Sequence, residues 1–109
     1  MGKLPRDVKK LGILLACPPA HPKFKHAVGL ARAALHRRVQ VYLYCIDEGV
    51  TAIAGEELQR LKRDGLVLYG CAFSARCRNL PIDDRAAYSG LTVVSDLMAA
   101  TDRFLAFNA

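Results

Sequence analysis

Three short apolar runs, each closed by a cysteine, set the limits on what this chain can become. Leu11–Ala16 (LGILLA) stops at Cys17, Val39–Cys45 (VQVYLYC) ends on Cys45, and Leu66–Cys71 (LVLYGC) ends on Cys71. Short, nearly continuous apolar runs suit strands buried on both faces, as in a parallel sheet. Pro18 and Pro19 stop the first run, because proline cannot continue a hydrogen-bonded ladder. The second run passes into Asp47, Glu48 and Gly49, a turn composition.

Between the runs the apolar period changes. Phe24, Ala27, Val28, Ala31 and Leu35 recur at three- and four-residue spacing, with Lys23, Lys25, Arg32 and His36 between them. This predicts a helix opened by Pro22, with His36, Arg37 and Arg38 complementing the negative end of its dipole. A second helix is expected over 55–63, with Leu58 and Leu61 inside, Glu56, Glu57, Arg60 and Lys62 outside, and Gly65 as its stop. Residues 72–89 read as the longest irregular region, with a helical turn allowed on either side of a loop at Asn79-Leu80-Pro81 and Asp83-Asp84. Over 91–100, Leu91, Val94, Leu97 and Met98 favour a helix capped by Ser89, although LTVV alone also suits a strand. Phe104–Phe107 reads as a last strand.

The alternation predicts an α/β fold: a single-domain three-layer sandwich with a parallel, flavodoxin-like sheet of four to five strands and helices on both faces. Residues 1–8, with Gly2 and Pro5, read as a flexible N-terminal tail, and 9–109 as the α/β domain. The expected strand order is 2-1-3-4. That order places the switch point between the first and third strands, with Cys17 and Cys71 on either side of it on neighbouring strands about 4.8 Å apart.

Composition narrows the function. The chain has 109 residues, 52% hydrophobic and 24% charged, enough for one well-built core and too apolar for disorder. No apolar run approaches the roughly 18 residues that span a bilayer. The opening MGKLPRDVKK lacks an apolar signal core, so a cytoplasmic location is expected. The net charge of +6 is spread over helix faces and the tail without a nucleic-acid motif. Nucleic acid is therefore not an expected partner; a small anionic sulfur donor or an acidic protein suits such a surface better.

The four cysteines, Cys17, Cys45, Cys71 and Cys77, contain no CxxC pair. In a reducing compartment they are reactive, metal-binding or simply buried rather than disulfide-bonded. Cys45, after Tyr44 on an apolar strand, reads as a small buried hydrophobe, and Cys17 reads either way. Cys71 differs. Gly70 and Ala72 leave its sulfur accessible, the N–H groups of 72–75 would face it if that segment turns helical, and Arg76 and Arg78 add positive charge. Such surroundings favour a thiolate, with Cys77 as a candidate resolving thiol. A zinc site from Cys17, Cys45, Cys71 and His21, and a triad of Cys71, His21 and Asp47, are both conceivable, but no ligand spacing supports either. CPPAHP stands where a nucleotide fold carries a glycine-rich phosphate loop.

Taken in order, LGILLACPP, GLARAAL, VYLYCIDEGV, GLVLYGCAFSARCR and GLTVVSDLMAATDRFLAFN give a chain that resembles the DsrE/DsrF-like family over residues 9–108. This is the sulfur-relay fold that includes the TusD and DsrE subunits. The resemblance implies that Cys71 accepts sulfur as a persulfide and passes it on, and that Arg78 is the arginine which follows that cysteine. It implies trimers or hexamers, sulfur-donor and sulfur-acceptor partner proteins, and no organic cofactor. Asn79 follows Arg78 where the family pattern often has glycine, and Cys45 and Cys77 lie outside that pattern. The functional expectation is a small sulfur-relay protein, a persulfide carrier or sulfurtransferase. The alternative is a non-catalytic oligomeric interaction module of the same fold.

Overall fold

The computed structural model describes residues 8–109; almost all of the expected tail lies outside the described residues. The elements are β1 (Lys10–Leu15), α1 (Pro22–His36), β2 (Gln40–Cys45), a 3₁₀ segment (Asp47–Ala52), α2 (Glu56–Arg63), β3 (Val67–Cys71), α3 (Ala72–Cys77), β4 (Ala87–Ser89), α4 (Thr92–Ala100) and β5 (Arg103–Phe107). His21 precedes α1 and its Nδ1 accepts the Lys23 N–H at 3.1 Å, closing one of the free donors of the first turn. Pro22 occupies the first turn, where a missing N–H costs nothing.

All five strands are parallel, in the order β4-β3-β2-β1-β5. The three-layer, flavodoxin-like sandwich is as expected, but the strand order is not 2-1-3-4. β3 pairs with β2 instead of β1, so β2 stands between Cys17 and Cys71 and the two do not flank a switch point. Strand–helix alternation fixes the parallel sense, but not the side on which each new strand is added; here each strand adds beside its predecessor until β5 returns to β1. The reversal therefore lies between β1 and β5.

Right-handed crossovers put α1 and α2 on one face and α4 on the other. α1 packs against β1, β2 and α2, and α4 against β1 and β5. The main core lies on the α1 side, where Ile13, Leu15, Val41, Leu43, Cys45, Ala27, Ala31, Leu58 and Leu61 are buried. Each large aliphatic side chain taken from water there contributes about 1.5–3 kcal/mol. On the α4 side Leu14, Tyr42 and Tyr69 are only half-buried. No helix among the described residues is long and apolar enough to cross a membrane.

The irregular region expected over 72–89 contains α3 and β4. Ser89, expected as a helix cap, lies in β4, and α4 begins after Leu91 without a side-chain cap. The turn after β2 is the 3₁₀ segment, drawn tightly over the end of β1: the Ile46 N–H donates to the Leu15 carbonyl at 3.0 Å. A Cβ on Gly49 would stand 2.0 Å from that carbonyl oxygen, so only glycine fits.

Candidate functional site

β2 and β3 pair with Cys45 opposite Gly70, so Cys71 is one residue further along its strand. Side chains alternate along a strand, so that one residue moves Cys71 to the face of Tyr44 and Tyr69, away from Cys45. Its neighbour across β4 is Ser89. β3 passes directly into α3, and Cys71 is the residue that caps this helix, with Sγ accepting the Ser74 N–H at 3.4 Å. Serine or aspartate normally holds this place; a thiolate acts there by the same acceptor chemistry.

Ser74 is buried, and its Oγ accepts the Asp47 N–H at 3.0 Å. That contact uses the oxygen as acceptor and leaves the hydroxyl proton for Cys71. Asp47 makes it by adopting φ 51°, in the left-handed region. Arg78 then ties α3 to the 3₁₀ segment. Its Nη1 donates to the Ser74 carbonyl at 3.1 Å, while Nε and Nη2 donate to Glu48 Oε2 at 3.2 and 2.8 Å. On the other side of the sulfur, the Tyr44 hydroxyl lies 3.2 Å from the Ser89 carbonyl oxygen and 3.1 Å from that of Gly90, and donates toward them. The Tyr44 ring stacks on Tyr69, with centroids 6.3 Å apart.

These contacts decide the charge on the sulfur. Burial pushes the Cys71 thiol up, but the Ser74 hydroxyl, the Ser74 and Phe73 N–H groups and the Tyr44 hydroxyl, whose one proton the sulfur shares with the Ser89 and Gly90 carbonyls, outweigh it, leaving the thiol below its ordinary value of 9.0. Tyr44 moves the other way, raised by burial and by the neighbouring Cys71 despite its bond to Ser89, so it remains a protonated donor. Burial also raises Cys17 and Cys45, and the neighbouring Cys17 adds to the rise at Cys45.

The expected site residues are thus distributed unevenly. Cys17 is fully buried and lies near Cys45 on the far side of β2 from Cys71. Arg78 is engaged with Glu48 and Ser74, acting on Cys71 only through Ser74. Arg76 and Cys77 are exposed on α3. Cys77 is the sixth residue after Cys71, at the far end of α3, a rise of about 9 Å. That exceeds disulfide reach, so Cys77 meets the Cys71 sulfur within one chain only if α3 unwinds. His21 is spent on capping α1, and Asp47 joins the site by its backbone, which removes the geometric basis for a triad. Among the described residues no group of three or more His, Cys, Asp or Glu side chains is placed to hold a metal ion.

Ser74, Tyr44 and Ser89 were not among the residues singled out from sequence. Ser74 had a readable signal, a hydroxyl three residues after the capping position. Tyr44 and Ser89 had none, because both reach Cys71 through strand register. A surface depression of about 550 Å³, lined by Arg32, His36, Arg37 and Asp64 among others, opens at the C-terminal end of α1. It lies at the opposite edge of the sheet from Cys71 and belongs to a different surface.

No family model and no curated protein matches the chain. Solved structures do, among them two that superpose over nearly the whole chain. The YchN protein of E. coli superposes with a TM-score of 0.74 at 17% identity, covering 91% of this chain and 98% of its own. A conserved protein of unknown function from Bacteroides thetaiotaomicron superposes with a TM-score of 0.68 at 12% identity, covering 91% and 95%. At these identities the likeness is one of fold, and the chain shares the α/β sandwich of both structures over nearly its whole length.

Proposed function

We propose that this chain is a small sulfur-relay protein that carries a persulfide on Cys71. The observation behind this reading is the set of donors converging on Cys71, which holds the thiol below 9.0 despite its burial. In the first step the Cys71 thiolate attacks the outer sulfur of a donor persulfide. A new S–S bond forms at Sγ, the donor's S–S bond breaks, and its electron pair leaves on the donor thiolate. In the second step an acceptor thiolate attacks the outer sulfur and Cys71 departs as a thiolate. No net oxidant is consumed, and a low-pKa leaving thiol departs faster. Ser74 and Tyr44 serve both steps by stabilising the Cys71 anion as nucleophile and as leaving group. Donor and acceptor are thiol-bearing partners, and a reducing, cytoplasmic setting suits the chemistry.

Exposed apolar side chains favour assembly into a homo-oligomer, the trimer or hexamer implied by the family resemblance. Phe73 is 73% and Leu91 58% exposed, and they follow adjacent strands at the edge that carries Cys71. The test of the reading is intact mass after incubation with a low-molecular-weight persulfide. The expected result is the gain of one sulfur atom in the wild type and in Cys77→Ser, and its loss in Cys71→Ser. A gain that survives Cys71→Ser overturns the assignment.

The second reading, a non-catalytic interaction module, has its own support: Cys71 is only 4% exposed, beside that apolar rim. Slow alkylation of Cys71 with an inflection at the ordinary thiol value would favour it.

A further inference from the structure

One buried polar group near Cys71 has no task in the scheme above. The Ser89 hydroxyl is closed off from solvent and makes no hydrogen bond, the one such side-chain atom among the described residues. An orphaned buried hydroxyl costs about 1–3 kcal/mol, so a place that keeps one calls for a partner present in another state of the molecule. Ser89 is the register partner of Cys71 on the adjacent parallel strand, and paired side chains on neighbouring strands project to the same face. The end of β4 is also pinned, since the Ser89 and Gly90 carbonyls both face the Tyr44 hydroxyl. The Ser89 side chain is therefore carried on a fixed backbone.

Two features separate its role from those of Ser74 and Tyr44. The Ser89 hydroxyl makes no hydrogen bond to Cys71 Sγ, whereas Ser74 does by its N–H. A persulfide adds a second sulfur about 2.05 Å from Sγ, so a hydroxyl on the β4 side that Sγ itself does not engage can meet it. We propose that the Ser89 hydroxyl donates a hydrogen bond to the outer sulfur of the Cys71 persulfide, holding the carried atom rather than the carrying one. This rests on the persulfide reading and names the residue that retains its cargo. Sγ is held from the α3 side and the outer sulfur from the β4 side. The bond exists only in the loaded state, which accounts for the unmatched hydroxyl in the resting one.

Ser89→Ala tests the assignment without threatening the fold, because it removes a hydroxyl that has no partner. Wild type, Ser89→Ala and Ser89→Thr are loaded with glutathione persulfide, freed of excess donor and followed by intact mass, while the Cys71 thiolate is titrated in the unloaded chains. We expect the Cys71 titration to be unchanged in Ser89→Ala and the thermal midpoint to rise, because the orphaned hydroxyl and its cost are removed. Its persulfide should decay about tenfold faster than that of the wild type, the size expected for one hydrogen bond to an anion. Ser89→Thr, which keeps the hydroxyl, should restore the lifetime. If the wild type loads and Ser89→Ala holds sulfur equally long, the role of Ser89 is overturned and the carrier reading stands. Wild type that takes up no sulfur on Cys71 overturns both. A Ser89→Ala chain whose unloaded Cys71 titration shifts also overturns the proposal, because the hydroxyl would then act on Sγ.

Discussion

Cys45 and Cys71 end neighbouring strands that pair residue for residue, yet they occupy opposite chemical worlds. Cys45 stands opposite Gly70, on the α1 side, where Leu15, Cys17 and aliphatic neighbours close around it. Nothing polar reaches it, and burial pushes its thiol far above the ordinary value. Cys71 is one residue further along β3, on the other face. It is nearly as buried, at 4% exposure, but meets Ser74, Phe73 and Tyr44 as donors and falls below that value. Burial alone therefore does not set the character of a cysteine. What decides is whether the surrounding atoms replace the hydrogen bonds that water would have made.

That contrast can be broken by experiment. The largest expected difference lies in labelling of the folded protein with a thiol reagent. Cys45 should react only through global opening, about 10³-fold or more slowly than exposed Cys77, with Cys71 between them. A Cys45 that labels as fast as Cys71 would show that the α1-side core opens locally. Next in size is Cys45→Ser, which places a hydroxyl where no partner exists and should cost about 2 kcal/mol in a denaturant titration. Cys71→Ser, whose oxygen inherits the Ser74 N–H, should cost under about 1 kcal/mol. Equal losses would mean that the two sites are not distinguished by their donors.

Tyr44→Phe sharpens the comparison further. It removes the hydroxyl that faces both Cys71 and the carbonyls of Ser89 and Gly90, and should destabilise by about 1 kcal/mol. It should also move the Cys71 alkylation profile to higher pH, a shift that a purely structural tyrosine would not produce. Ser74→Ala should move the profile the same way and leave Cys45 untouched.

The smallest effect is in alkaline stability, where the two thiols act with opposite signs. Cys71 has a folded pKa below 9.0, so its thiolate contribution is fully present above the unfolded value and is lost as pH falls through the folded one. Cys17 and Cys45 have folded values above 9.0, so above that pH the unfolded chain releases their protons first and stability falls. Removing Cys71 should therefore abolish a gain in stability as pH rises toward 9 and leave the slope above 9 unchanged, whereas removing Cys45 should flatten the loss above pH 9. The reverse pattern would contradict the placement of the donors.

Much of this molecule was readable along the chain. The apolar runs closed by cysteines marked β1, β2 and β3, and Phe24, Ala27, Val28 and Ala31 marked the buried face of α1, because local periodicity is written directly in residue spacing. β4 and α3 were lost inside a region that read as irregular, since three strand residues and six helical ones are too few to establish a period. The expected 2-1-3-4 order failed for a related reason: alternation carries no information about which edge receives the next strand.

The same division runs through the site. Sequence singled out Cys71 by itself, from its place at the end of an apolar strand between Gly70 and Ala72, and it supplied Ser74 at the right interval for a helix cap. It also suggested Cys17 as a neighbour and Arg78 as a direct charge partner. Tertiary structure decided otherwise, placing β2 between the two cysteines and turning Arg78 toward Glu48. Tyr44 and Ser89 come to Cys71 from 27 residues before it and 18 after, through pairings β2–β3 and β3–β4 that no local pattern encodes. A strand's side-chain period is two residues, so a single step of register separates an inert core thiol from a candidate sulfur carrier; sequence determines that a thiol ends the strand, and only the assembled sheet determines which face it meets.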